Sequence, residues 1–477
     1  MKMIKTMVMA VISAFLLLNT AYAEPKWVSE VGAKTFPKGK KIFKANTYGA
    51  KGDSLTLNTK AIQAAIDACA AAGGGVVTFD TGQYVSGSIF LKKNVTLQLD
   101  KGVTIVGSNK LADYPDMPSR IAGIEMVWPA ALINVIDQDK VAITGEGVVD
   151  GRGKPFWDSY WTMRKDYDKR GLRWIVDYDC KRPRTLLISN STNITVKGIT
   201  LKRAGFWTVQ VLYSQFVTVK GIIIRNNEGG HGPSTDGVDI DSSSDILVED
   251  SDIDCNDDNF CMKAGRDADG LRVNRPCERV VIRNCIARAG GGLFTCGSET
   301  SGSIRNIWVE NITAYGTKVG IRVKSAITRG GVVENVYVNN VEMKGVIVPI
   351  EVTTNWNPTY SYSKLPEGYT YDSIPAHWKV MLQKVEPESK GIPVFRKIYI
   401  NNLHATGAEK KAISAQGMSN SEVDDFEFSN VSIESATAGE LDFCRNWKFT
   451  NVQLKTKDGS TLKVTNCEGM KLGDSNK

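Results

Sequence analysis

His231–Gly265 reads HGPSTDGVDIDSSSDILVEDSDIDCNDDNFCMKAG. Within it, ILVEDSDI from Ile246 alternates apolar and polar residues at period two, the mark of a half-buried strand. Its fifth residue, Asp250, is a type that tolerates left-handed backbone. The same form recurs as ITVKGITL from Ile194, VTVKGIII from Val217, VVIRNCIA from Val280 and IWVENITA from Ile307. It continues as VYVNNVEM from Val336, IYINNLHA from Ile398, FEFSNVSI from Phe426 and WKFTNVQL from Trp447. Successive starts lie 23, 29, 34, 27, 29, 62, 28 and 21 residues apart, the 62 holding a long insertion. One supersecondary unit returning at this period predicts a solenoid. Asn-Gly and similar hairpin signals are almost lacking between the strands, which disfavours a β-sandwich. The expectation is an all-β, single-stranded parallel β-helix over 24–477.

Outward from the repeats, FKANTYGAKGDSLTLNTKAIQAAIDACAAAGGG places Ile62, Ala65, Ile66 and Cys69 on one helical face behind Asn58 as N-cap. A short amphipathic helix here covers one end of the solenoid and shields its edge. Two aromatic-rich insertions, 152–182 and 345–393, interrupt the rhythm and are expected as long loops walling a site. The start, MKMIKTMVMAVISAFLLLNTAYA, has two lysines, an apolar run and a small-x-small site, so 1–23 reads as a signal peptide cut after Ala23. That places the protein outside the cytoplasm, in the periplasm or beyond. No later stretch is long and apolar enough to span a bilayer. Nine cysteines leave at least one unpaired within the chain, and Cys255, Cys261, Cys277 and Cys285 lack zinc-ligand spacing. The formal charge is +7, or 7 − 2 = +5 without Lys2 and Lys5, and such a field favours a polyanionic ligand.

Asp236 and the adjacent Asp257 and Asp258 carry the chemistry. The separation 257 − 236 = 21 is about one coil, which predicts Asp236 and Asp257 on neighbouring strands. Carboxyls converging on one open face suit hydrolysis of a sugar bond, one giving a proton to the leaving oxygen and another taking one from water. Phe260 and Met262 are expected inward, and Asp257, Cys261 and Lys263 outward. Asp236 and Asp258 have the wrong parity, so the backbone must break near Gly237 and between the two aspartates. Arg322 and Lys324, two apart on one strand, share a face able to grip a carboxylate.

These residues resemble the family 28 glycoside hydrolases, the polygalacturonase and rhamnogalacturonan hydrolase family, from about Phe43 to Lys324. YGAKGD (Tyr48–Asp53), GVVDGRG (Gly147–Gly153), Arg182-Pro183-Arg184 and Phe206-Trp207-Thr208 match its habits. STDGVDID, NDDNFCMKAG and GIRVKS stand where the family has Asn-Thr-Asp-Gly, Gly-Asp-Asp with a following Lys, and Arg-x-Lys. The resemblance implies a right-handed β-helix and assigns Asp257 as general acid. Asp258 and Asp236 then hold the attacking water, and Arg322 and Lys324 bind a substrate carboxylate, with Lys263 nearby. No metal or cofactor is implied. The expected partner is an acidic pectic polysaccharide or oligosaccharide, bound by a monomer, with no nucleic acid involved. Gly291 stands where the family has a histidine, which points toward an exo-acting or rhamnogalacturonan-cleaving branch, and His231 is a candidate to replace that support. A calcium-dependent pectate lyase and a non-catalytic glycan-binding solenoid are the rivals from other classes.

Overall fold

The structure is a computed structural model that describes residues 23–473; the expected export signal lies outside the described residues except for Ala23. Thirty-two strands form one sheet wound into a right-handed β-helix, and all their pairings are parallel. The repeats found in sequence are the rungs. Ile194 pairs in register with Val217, Val217 with Ile246, Ile246 with Val280 and Val280 with Ile307. The column continues through Val336, Ile398 and Phe426. Each of these side chains is buried in the central core, and each contributes roughly 1.5–3 kcal/mol by leaving water.

The fifth position of every repeat turns the chain. Gly198, Gly221, Asp250, Asn284, Asn311, Asn340, Asn402, Asn430 and Asn451 all have φ between 52° and 79°. The six asparagines among these also link coil to coil: Asn311 Nδ2 donates to Asn284 Oδ1 at 3.2 Å, Asn340 to Asn311 at 3.1 Å, Asn402 to Asn340 at 2.7 Å and Asn451 to Asn430 at 2.8 Å. A short polar side chain that accepts left-handed backbone and also bonds its neighbour satisfies both demands of the corner.

The helix Thr59–Ala71 caps the first coils with Ile62, Ala65, Ile66 and Cys69 buried as expected. Asn58 precedes it without capping through its side chain. Its amide instead accepts from Lys51 N–H at 2.7 Å and donates to Lys51 O and Thr56 O, tying the approach loop together. All nine cysteines are free and eight are buried.

The insertions differ from expectation in form. Residues 152–182 contain a helix, Lys154–Lys169, and a second short one, Val176–Asp179, rather than a long loop. Phe156, Trp157 and Tyr160 recur at helical spacing and are buried against the coil. A third insertion escaped the sequence reading: an antiparallel hairpin of Asp116–Ile121 and Ile124–Pro129. Together the hairpin and the two insertions make a satellite core of Ile121, Trp128, Trp174, Tyr178, Phe206 and Trp378. Asp179 fastens it, accepting from Trp378 Nε1 at 2.9 Å and lying 2.5 Å from His377 Nε2. Among the described residues no helix is long and apolar enough to cross a membrane.

Candidate active site

The core face and the site face belong to the same strands. In Val238–Asp241, Val238 and Ile240 enter the core while Asp239 and Asp241 face outward. The following coil, Asp258–Lys263, sends Phe260 and Met262 inward. Register pairs Val238 with Phe260 and Asp239 with Cys261. That offset is 260 − 238 = 22, one more than the spacing taken from sequence, so Asp236 stands beside Asp258 rather than Asp257. Gly237 N–H donates to Asp258 O at 2.9 Å. Gly237 is needed there, because a Cβ would lie 2.4 Å from Asn259 O and 2.7 Å from Ile253 Cγ2. Strand alternation lapses beside it: Asp257 and Asp258 both line the outer pocket, whereas Asn259 turns away to donate to Ala289 O and Gly292 O.

The cavity at the three aspartates is narrow, about 80 Å³. Its floor holds Asp236, Asp257, Asp258, Lys263 and Lys324. Its walls come from the insertions, as Arg173 and Asp177 from the first, Trp356 and Tyr360 from the second, and Ala122 from the hairpin. Carboxylate oxygens of Asp236 and Asp258 and the Cys261 sulfur lie within 4.8 Å of one another, so one small ligand such as a water can touch both acids.

The acids sit in different fields. Burial alone would raise Asp258, but Lys324 Nζ at 2.9 Å and Arg322 Nη1 at 3.7 Å, with Lys263 behind them, hold it well below the usual carboxylate range. Asp257 is shifted the other way, by burial first and then by the Asp258 charge beside it. Asp257 Oδ1 accepts the Asp258 N–H at 3.0 Å. The pair therefore joins a carboxyl held ionised to one that keeps its proton to higher pH than usual, a division that suits acid–base catalysis.

Lys263 reaches the cavity floor, but its ammonium is already engaged by protein carboxyls. Its buried ammonium is 3.7 Å from Asp236, 3.4 Å from Asp239 and 3.5 Å from Glu299, with the Trp207 ring centroid 5.0 Å away. One cation at such distances cannot keep three buried carboxyls ionised. Glu299 stays ionised at about 2, burial being outweighed by Lys263 and Arg329. Asp236 and Asp239 are both raised, burial being the chief cause, Asp239 to about 8. Burial, with the negative charge of neighbouring carboxyls, favours protonation of this pair. Asp239 was missed in the sequence, although its outward parity next to Asp236 was a legible signal.

A carboxyl at about 8 in the folded chain against an ordinary ~3.9 contributes stability that is complete below the lower value and lost as pH rises through the higher. Asp239→Asn, which keeps a neutral group, should therefore lose less thermal stability than the parent between about pH 5 and about pH 8. Melting curves across that range check this, and an unchanged pH dependence would count against the raised Asp239 carboxyl.

Arg322 and Lys324 share the outer face of Val319–Lys324. Besides Asp258, Arg322 Nε donates to Glu351 at 2.7 Å, and the Lys324 ammonium lies 4.4 Å from the Trp356 ring centroid. His231 is not brought to the site. It is exposed, lines neither cavity beside the acids, and contributes only its carbonyl, which accepts from Trp161 Nε1 at 3.1 Å. The loop before Asp236 is instead held by Arg182, which is buried between the Tyr160 and Phe206 rings and donates to Pro233 O at 2.7 Å. At Gly291 a Cβ would stand 3.0 Å from Asp257 Oδ1, so glycine leaves open space against this carboxyl.

The profile described as Glycosyl hydrolases family 28 matches residues 76–374. An exo-poly-alpha-D-galacturonosidase of Dickeya chrysanthemi is 28% identical over 88% of this chain and 75% of its own. An endo-polygalacturonase of Pectobacterium parmentieri is also 28% identical, over 80% of this chain and 90% of its own. Among solved structures, a hyperthermoactive exopolygalacturonase from Thermotoga maritima superposes with a TM-score of 0.73 at 26% identity, covering 90% of this chain and 94% of that one. With the profile spanning more than half its length, the chain belongs to the family 28 glycosyl hydrolases and is a polygalacturonase-like enzyme.

Proposed function

We propose that this enzyme is exported and removes terminal galacturonate from pectic chains by a single, inverting displacement. The observation that carries the exo reading is the walled cavity: Arg173, Asp177, Trp356 and Tyr360 rise from two insertions around the acids, and Ala122 of the hairpin adds to them. A groove open at both ends would let a chain bind at any position, whereas a blocked end receives a chain terminus. Export is supported by the amino-terminal charge, apolar run and Ala21-Tyr22-Ala23.

In this mechanism Asp257 donates its proton to the glycosidic oxygen as the bond from that oxygen to the anomeric carbon breaks. A water between Asp258 and Asp236 attacks the anomeric carbon from the opposite face and gives its proton to Asp258. Asp236, raised by burial and by the Asp239 charge, orients the water. Arg322 and Lys324 keep Asp258 ionised and are placed to meet the substrate's carboxylate. One proton enters the leaving alcohol and one leaves water, so the two carboxyls exchange protonation and reset through solvent. A lyase would give an unsaturated product instead.

Proton NMR of polygalacturonate digestion tests the reading in one time course. The expected result is a mono- or disaccharide released from the start, with the inverted anomer formed first. An early ladder of mixed oligomers would refute exo-action, and a retained anomer would refute the single displacement.

A further inference from the structure

Arg266 lies three residues beyond Lys263, on the coil that carries Asp258, and its side chain is fully buried. It lines neither cavity beside the acids, so it acts on a substrate only through other residues. We propose that Arg266 is the positioning residue that fixes the three wall segments over the acids, and that this tie makes the enzyme release chain ends rather than cut within chains. The inference rests on the exo reading above and deepens it by naming the residue that keeps the cavity blocked.

The contacts of this one residue carry the proposal. Nη1 donates to Tyr178 Oη at 2.8 Å, in the first insertion. Nη2 donates to Tyr360 O at 2.8 Å and to Ser361 O at 3.0 Å, in the second. The backbone N–H donates to Gly123 O at 3.0 Å, in the turn of the hairpin. Tyr178 closes the ring by donating to Ala122 O at 2.9 Å. Only Nε stays local, on Asp267 at 2.9 Å. The guanidinium also packs on the Tyr360 ring, 4.7 Å from its centroid. Tyr360 and Ala122 are cavity wall, and so is Asp177 beside Tyr178.

Segments spliced into the corners of a coil have no strand ladder to locate them, so their place over the acids depends on ties of this kind. A planar guanidinium with its donors in a fixed fork sets direction as well as attachment, which an ammonium on a flexible stem does not. The hairpin turn is pressed directly on this residue: Gly123 has a φ of 86°, and a Cβ there would stand 2.5 Å from Arg266 Cβ. Without the fork, Tyr360 O and Ser361 O lose a buried donor, and the second insertion is released from the first. The blocked end then opens, while the bonds of Asp257 and Lys324 to Asp258 are untouched.

Arg266→Met, Arg266→Lys and Tyr178→Phe test this on the full enzyme, with polygalacturonate and digalacturonate as substrates. Arg266→Met should yield mixed oligomers early from polygalacturonate. Its KM for digalacturonate should rise about tenfold, roughly the loss of one charged hydrogen bond, with kcat changed by less than about threefold. Arg266→Lys should fall between Arg266→Met and the parent. Tyr178→Phe removes the phenol oxygen but keeps its ring in the satellite core, and should move products and KM in the same direction. It decides the matter if Arg266→Met does not fold. Parental products and KM in the folded variants, even at a lower melting temperature, would overturn the tie. So would a fall in kcat alone, which would place the effect on the acids. A ladder of mixed oligomers from the parent itself would instead remove the exo reading, and this inference with it.

Discussion

Asp257→Asn is expected to lower turnover on galacturonate chains by at least about a hundredfold, the lower end of what a positioned general acid contributes. The substitution is nearly isosteric and retains the oxygen that accepts the Asp258 N–H, so the strand entry keeps its hydrogen bond. It also removes a carboxyl raised by burial and by its charged neighbour, and the folded protein should melt no lower than the parent. If Asp257 is the acid, the alkaline limb of the parent's pH profile should belong to it, activity falling as pH rises through the raised Asp257 value. A variant with near-parental turnover would mean that the acid has been assigned to the wrong carboxyl.

Lys324→Met should be as damaging, for a different reason. Lys324 is buried and holds Asp258 at 2.9 Å. Removing it leaves a buried carboxylate with only Arg322 at 3.7 Å and the more distant Lys263, and breaking such a pair costs roughly 3 kcal/mol. Asp258 then rises from its depressed value. Activity that needs Asp258 ionised is lost as pH falls through that higher value, so the acid limb moves upward. Chemical denaturation and a pH profile read the two effects separately. Unaltered stability together with an unmoved acid limb would show that Lys324 does not hold the charge of Asp258.

The fold was legible because the same residues answer two constraints. Inward positions such as Ile246 and Val280 show the period-two pattern, and the corner positions are Asn, Gly or Asp because φ is positive there. The site was legible in part. Asp257, Asp258 and Asp236 converge, but one-residue register errors do not show in a sequence, and the 22-residue offset moved Asp236 from Asp257 to Asp258. The hairpin at 116–129 was missed because DMPSRI contains a proline and little apolar alternation, its fixing contacts being distant in sequence. Arg120 shows this: it is fully buried, reaching Asp241 at 3.1 Å and Ser242 at 2.7 Å, more than a hundred residues away. His231 attracted attention through sequence proximity alone, whereas Asp239, two residues into a plain strand, is set deep in the charge cluster.

The long gap between the repeats at Val336 and Ile398 leaves no mark on the ladder, where those two residues are direct partners. The coils therefore act as a ruled track, and whatever is spliced into a corner is invisible to the strands above and below. A lineage can lengthen or trim the segments carrying Trp356 and Arg173 without breaking the strands that carry Asp258 and Lys324. Conversion between trimming chain ends and cutting chains internally then needs only indels at corners, with the reacting groups inherited unaltered.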